Sequence, residues 1–290
     1  MPLEIFQVEI TSRCNLRCNF CPHSELKRPK GDMRVEDFKR VAANFRRGQR
    51  VGLYMLGEPL LHPAFFELVK ITTDFGCVPE IASNSFLLTS EEYIDQVLLS
   101  GIDFLILDIT RHKEDKKVVD RCRINALNTV RRACRLFDKG EVVPNIFVQI
   151  VASKKHPEVF PSNMIDFSMR YPNLIQLSRK FLDTWAGAKR ELYDESEIEP
   201  PAFRLPCVEP WERCAVLQNG DVVPCCRDAH GEYPYGNLFY GTLDEIDRTS
   251  LKLKTLRMLH TSRDWSALPP PCKHCREWHI PMDRHLGEVP

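Results

Sequence analysis

The chain has 290 residues, 40 lysines and arginines against 40 aspartates and glutamates, and 43% apolar residues, enough to bury a sizeable core in one or two domains. Formal neutrality removes whole-molecule attraction to nucleic acid or an anionic membrane, and no apolar run approaches the roughly 18 residues of a transmembrane helix. The start, Met1-Pro2-Leu3-Glu4, lacks the basic and apolar blocks of a signal peptide, so the expected compartment is the cytoplasm, with no membrane or nucleic-acid partner. Twelve cysteines are too few for a disulfide scaffold, and a reducing cytoplasm would keep ordinary thiols unpaired. Metal ligation or catalysis is the expectation for them.

In chain order, short apolar runs alternate with amphipathic stretches as far as Leu177, the form taken by repeated β-α units. Strands are predicted over 5–10, 52–55, 78–83, 104–108, 143–151 and 174–177. Helical spacing joins Val35, Phe38, Val41, Ala42 and Phe45, then Phe65, Leu68, Val69 and Thr72, then Leu127, Val130, Cys134 and Phe137. These elements predict an α/β fold, a partial (β/α)6 barrel over residues 1–182. Residues 183–200 hold Asp183, Glu191, Asp194, Glu195, Glu197 and Glu199 against Lys189 and Arg190, and read as an acidic linker. From 201 to 290 a hairpin is predicted about the Asn219-Gly220 turn, then a helix over 243–259, then a Pro-rich tail. This module has little apolar patterning of its own and reads as one that a metal must hold together.

Cys14, Cys18 and Cys21 are spaced CxxxCxxC in the loop predicted after the first strand. At this cysteine frequency chance would produce such a triplet only about 0.02 times in a chain of this length, so metal ligation is the reading. Three such thiolates can hold three irons of a 4Fe-4S cube and leave the fourth open to a small-molecule ligand. A structural zinc with a distant fourth ligand such as His23 is the alternative. Leu56-Gly57-Glu58-Pro59 follows the second strand and Ala82-Ser83-Asn84-Ser85 the third, at the carboxyl ends where barrel sites form.

Together these segments resemble the radical S-adenosylmethionine (SAM) superfamily, in which the open iron chelates SAM and reductive cleavage yields a 5'-deoxyadenosyl radical that abstracts hydrogen from substrate. The resemblance implies that Phe20 lies beside the adenine, and that Gly57, Glu58 and Pro59 form the GGEP element that receives the SAM amino group, with Leu56 in place of its first glycine. Asn84 matches the family's TNG turn, with Ser85 where that turn has glycine.

Cys207, Cys225, Cys272 and Cys275 form C-x17-C-x46-C-x2-C, a set that closes a metal site with either zinc or 4Fe-4S on spacing alone. Together with Asn219-Gly220-Asp221, Gly236-Asn237-Leu238 and Cys272-Lys273-His274-Cys275, they are similar to the SPASM/twitch extension of that superfamily. The similarity implies one auxiliary 4Fe-4S cluster with four cysteine ligands, hence two clusters and SAM as cofactors. The twitch dehydrogenases that oxidise a secondary alcohol of an aminocyclitol share these segments; between about Thr110 and Pro200 the match fades.

Of the remaining cysteines, Cys134 shares an apolar helical face and reads as a packed core thiol, while Cys77 and Cys122 carry no local chemistry. Cys214 and Cys226 neighbour the cluster ligands; each is either packing, with Cys226 also an alternative ligand to Cys225, or a thiol that returns a hydrogen atom to a substrate radical. Asp108, ending the fourth strand, and Arg179, following the sixth, are candidate catalytic residues at the barrel mouth, able to bind the SAM carboxylate, orient a hydroxyl or take its proton. The mildly basic runs 27–50 and 111–139 read as solvated helix faces. The expected activity is radical SAM oxidation of a sugar or aminocyclitol alcohol, with a small-molecule substrate and an electron donor such as flavodoxin or ferredoxin. Radical epimerisation, peptide modification and a metal-stabilised interaction protein are the competing readings. Peptide modification is disfavoured because the first strand begins at once, leaving no room for an N-terminal peptide-recognition domain.

Overall fold

The computed structural model describes residues 3–110, 115–153, 155, 159–192 and 202–279; the end of the expected linker, the start of the second basic run and the last residues of the chain lie outside them. Six parallel strands, β1 (Glu4–Val8), β2 (Arg50–Gly52), β3 (Val78–Ser83), β4 (Phe104–Asp108), β5 (Asn145–Ala152) and β6 (Ile175–Phe181), stand in chain order in one sheet. The connections carry α1 (Val35–Ala42), α2 (Phe65–Asp74), α3 (Glu91–Leu98), α4 (Lys116–Phe137) and α5 (Ser162–Arg170). Crossovers of one hand between successive neighbours put every helix on the same face, which leaves the other face as a lumen and makes the expected partial barrel.

Strand alternation sorts the side chains. Ile81, Leu105, Leu107, Val148 and Ile150 pack on the helix side with Leu68, Val97, Val130 and Met164, whereas Glu80, Ala82, Ile106 and Gln149 line a cavity in the lumen. Cys134 sits in the helix-side core as expected. The sequence reading missed α3 and α5; α5 fully buries only Met164, with Phe167 partly buried beside it, so its apolar stripe is short.

The C-terminal part comprises α6 (Glu209–Glu212), β7 (Arg213–Val216), β8 (Asp221–Val223), β9 (Gly236–Asn237), α7 (Leu243–Thr249), α8 (Leu251–Ser262) and α9 (Pro270–Lys273). The expected hairpin is present as antiparallel β7 and β8, with Gly220 at φ +86° in its turn. The single helix expected over 243–259 is broken at Ser250, which is extended, accepts the Leu253 N–H at 3.3 Å and donates to the Tyr235 carbonyl at 2.7 Å. This Ser N-cap begins a new helix instead of continuing the old one.

Two expectations are corrected. The C-terminal module does not stand on its own small core: β7 pairs in parallel with β1, with Ile5 opposite Cys214 and Val8 opposite Val216. Val222, Leu253 and Leu256 therefore join one cluster with Leu3, Ile5 and Phe38. Nor is the start of the acidic segment a solvated linker, because Asp183, Thr184, Ala186, Gly187, Lys189 and Leu192 are buried. Leu256→Ala is expected to cost about 2–5 kcal/mol and to lower one unfolding transition common to barrel and module in chemical denaturation. A separate early transition that left the barrel's midpoint in place would disprove the shared core.

Candidate functional site

The loop after β1 is anchored before it reaches the cysteines. Arg13 donates to both Asp32 oxygens at 2.9 and 2.7 Å and to the Leu61 carbonyl at 2.9 Å. Burial would raise the Asp32 carboxyl, but the Arg13 and Thr11 hydrogen bonds outweigh it and hold the group below its ordinary value. The Arg13 carbonyl accepts the Glu58 N–H at 2.8 Å, which brings residues 56–59 onto the cysteine loop. Gly57 is required there, since a Cβ would overlap the Thr11 carbonyl. Pro59 opens the 3-10 turn Pro59–Leu61; it is buried behind the cavity and fixes the backbone without lining it.

Cys14, Cys18 and Cys21 line a cavity of about 180 Å³ together with Phe20, Gly57, Glu58, Asn84 and Asp108. Buried Glu58 accepts the Leu60 N–H at 3.2 Å and the Asn84 N–H at 2.8 Å, bracing the turns behind β2 and β3. Asn84 donates to Asn15 at 2.9 Å, and Ser85 occupies a left-handed position at φ +64°, which explains why glycine suits that turn. His23 does not join this set; its ring lies 2.9 Å from the Ser12 carbonyl and outside the cavity lining.

Arg179 is placed differently from expectation. β6 runs on to Phe181, so Arg179 lies inside the strand, in register with Ile150 on the helix side, and is exposed and absent from the cavity lining. The next residue, Lys180, is in register with cavity-lining Val151 and itself lines the cavity. It also lines a second cavity of about 340 Å³ in the lumen, which shares Tyr54, Ala82 and Gln149 with the first. Among the described residues Lys180 makes no direct ion pair, although its charge acts on Asp183; its ammonium lies 5.8 Å from the Trp185 ring. Deeper in the lumen, Glu80 accepts the Tyr54 hydroxyl and pairs with Arg50, and burial together with Glu80 pushes the Tyr54 phenol well above its usual range. Gln7 Oε1 is buried there with no partner among the described residues.

Cys207, Cys225, Cys272 and Cys275 line a third cavity, of about 30 Å³. The adjacent Cys226 faces the other way, into the lumen, so it does not replace Cys225 as a ligand. Cys214 is fully buried in the β1–β7 seam, its thiol 3.5 Å from the Glu4 carbonyl, and reaches neither cavity. Burial pushes the Cys207 thiol up to about 11 and raises Cys225, Cys272 and Cys275 as well. Such thiols ionise together only around a cationic group that displaces their protons. The wall supports that reading. His260 Nδ1 accepts the Cys207 N–H at 3.3 Å, which leaves the ring proton on Nε2, and this donor and Arg204 Nε lack acceptors among the described residues. Burial, aided by Arg204, lowers His260 to about 4 and keeps it neutral. Orphaned donors beside four cysteines suit the sulfur acceptors of a 4Fe-4S cluster. Among the described residues no three His, Cys, Asp or Glu side chains converge on a single ion.

Sequence reasoning missed the groups that link the cavities. Asp183, at the edge of the first, accepts from Arg227 Nε at 2.7 Å, and Arg227 lines the third. Burial opposes the Asp183 charge, but Arg227 and Lys180 outweigh it and hold the carboxyl below its ordinary value. Glu277, fully buried, accepts from the Thr184 N–H at 3.0 Å and from its hydroxyl at 2.5 Å. Spacing offered no signal for either pair. Anaerobic reconstitution is expected to yield about eight irons per chain, and about four after joint alanine substitution of Cys14, Cys18 and Cys21 or of Cys272 and Cys275. Zinc in either site by elemental analysis would refute the assignment.

The chain matches the Radical SAM superfamily over residues 8–156 and the SPASM iron-sulfur cluster-binding domain over residues 207–276. It is 27% identical over 266 residues to the tungsten-containing aldehyde ferredoxin oxidoreductase cofactor-modifying protein of Pyrococcus furiosus, covering 81% of this chain and 74% of that one. Its fold resembles BtrN in complex with AdoMet and 2-DOIA, at a TM-score of 0.61 and 18% identity over 95% of this chain and 94% of that one. It also resembles Streptococcus suis SuiB bound to the precursor peptide SuiA, at 0.62 and 14% over 89% and 67%. The cysteine loop, the braced turns behind β2 and β3 and these matches lead to one conclusion: the chain belongs to the radical SAM superfamily and carries a C-terminal SPASM domain.

Proposed function

We propose that the protein oxidises a secondary alcohol of a small sugar or aminocyclitol held in the barrel lumen. The observation that carries this reading is the contiguity of the cysteine-lined cavity with a lumen walled by hydrogen-bonding side chains, through Tyr54, Gln149 and Lys180. A cavity of about 340 Å³ suits a compact polar molecule better than a peptide. When bound, SAM and the N-terminal cluster supply the radical that takes hydrogen from the carbinol carbon, and the auxiliary cluster supplies a one-electron acceptor.

The chain's own residues do the rest. Lys180 donates to the substrate oxygen and stabilises the negative charge that grows there. Asp108, oriented by the Thr110 N–H at 2.8 Å, takes the hydroxyl proton. Tyr54, Gln7 and Gln149 meet the remaining hydroxyls, and Glu80 suits an amino group. Flavodoxin or ferredoxin in the cytoplasm would provide the reducing electron.

Cys226 favours a second reading, because it lines the same lumen and its thiol would return a hydrogen atom in a radical epimerisation. Turnover of candidate polyols in deuterated water separates the two. A carbonyl product without deuterium at carbon, unaffected by Cys226→Ala, supports oxidation; an epimer carrying deuterium at carbon, lost in Cys226→Ala, replaces it. Lys180→Met is expected to lower product formation about 10²–10⁴-fold, while 5'-deoxyadenosine release continues uncoupled from product. Undiminished product formation would remove Lys180 from the reaction.

A further inference from the structure

Arg227 is 4% exposed and lines the auxiliary cavity beside its four cysteines. Its ion pair with Asp183 spans 2.7 Å, with the two side chains only 3% and 8% exposed. Nothing in the proposed alcohol oxidation uses this pair. Burying two charges carries a desolvation cost that their attraction must first offset, and well-packed apolar side chains often hold a fold together as well or better. A structural role therefore gives a weak account of it.

We propose that the Arg227–Asp183 pair sets the reduction potential of the auxiliary cluster. A cluster held by four thiolates gains further negative charge on reduction, and in a low-dielectric wall a fixed guanidinium favours the reduced state. Arg227 thus raises the potential and Asp183 partly offsets it. The offset is fixed in place from the strap that follows β6. Asp183 Oδ1 accepts the Trp185 N–H at 2.5 Å, and Thr184 is bound to Glu277. Trp185 and Ala186 are both left-handed, at φ +52° and +53°, a strained turn that its surroundings must hold. Because Asp183 also borders the N-terminal cavity, the same carboxylate stands between the two cofactor sites. The inference rests on the proposed oxidation only in needing an auxiliary cluster that accepts an electron; the potential itself is measurable without substrate.

The test is an EPR-monitored potentiometric titration of the reconstituted full-length protein, with the N-terminal signal identified by its response to added SAM. Arg227→Gln is expected to shift the auxiliary potential negative, Asp183→Asn to shift it positive, and Arg227→Lys to stay nearer the parent than Arg227→Gln. Where Arg227→Gln fails to load its cluster, Asp183→Asn and Arg227→Lys carry the comparison. Unchanged potentials, shifts of the same sign, or loss of about half the iron in both Asp183→Asn and Arg227→Lys would make the pair a structural brace and overturn the proposal. Opposite shifts together with no oxidation of any candidate alcohol would leave this inference standing and defeat the alcohol reading; alcohol oxidation with unmoved potentials would do the reverse.

Discussion

The parallel pairing of β1 with β7 is the constraint on which the rest of the structure depends. A parallel strand pair is stable only when both faces are covered, so the pairing obliges helix-side and lumen-side residues of barrel and module to pack as one body. The first cysteine loop leaves the end of β1, and the β7–β8 hairpin leads directly to Cys225. Buried Glu9 reinforces the joint, pairing with Arg28 at 2.7 Å and accepting the Gln218 N–H at 3.3 Å, while Arg28 donates to the Ala229 carbonyl at 2.9 Å. Burial raises the Glu9 carboxyl in spite of Arg28, so losing the arginine would leave an uncompensated polar group in the seam.

A second tie crosses between the cysteine sites at residues 183–192. On one side Trp185 Nε1 donates to the Phe20 carbonyl at 3.1 Å and Lys189 pairs with Glu25; on the other, Asp183 and Thr184 bind Arg227 and Glu277. A solvated linker would let two domains move relative to one another. Hydrogen bonds at both ends, buried at Arg227 and Glu277 and partly buried at Phe20 and Glu25, instead hold the separation of the cavities, which matters for a protein whose chemistry moves single electrons.

Much of this was legible in short segments. The spacing of Cys14, Cys18 and Cys21 and the turn residues Gly57-Glu58-Pro59 and Asn84-Ser85 each belong to a few consecutive residues, whereas the contact of Gly57 with the Thr11 carbonyl had to await the fold. The strands over 78–83 and 104–108 were equally clear, because β-branched and apolar runs bounded by polar turns mark buried strands. What failed depended on register. Arg179 and Lys180 differ by one position, and in a strand one position exchanges helix side for lumen side; only the true length of β6 and its pairing with β5 decide which residue lines the cavities. Cys225 and Cys226 divide between two cavities in the same neighbour-by-neighbour manner.

The sequence by itself located the N-terminal cysteine site, because the spacing of Cys14, Cys18 and Cys21 is a local property that no distant contact can create; iron-sulfur over zinc rested on the family resemblance. Tertiary structure decided everything that joins distant segments. It brought Glu4 and Cys214 together across 210 residues, turned the start of an acidic stretch into a packed strap, and opened the cysteine cavity into a polar lumen. Those outcomes depend on strand pairing and burial, which balance desolvation against hydrogen bonding over the whole molecule, and no window of sequence contains both sides of that balance.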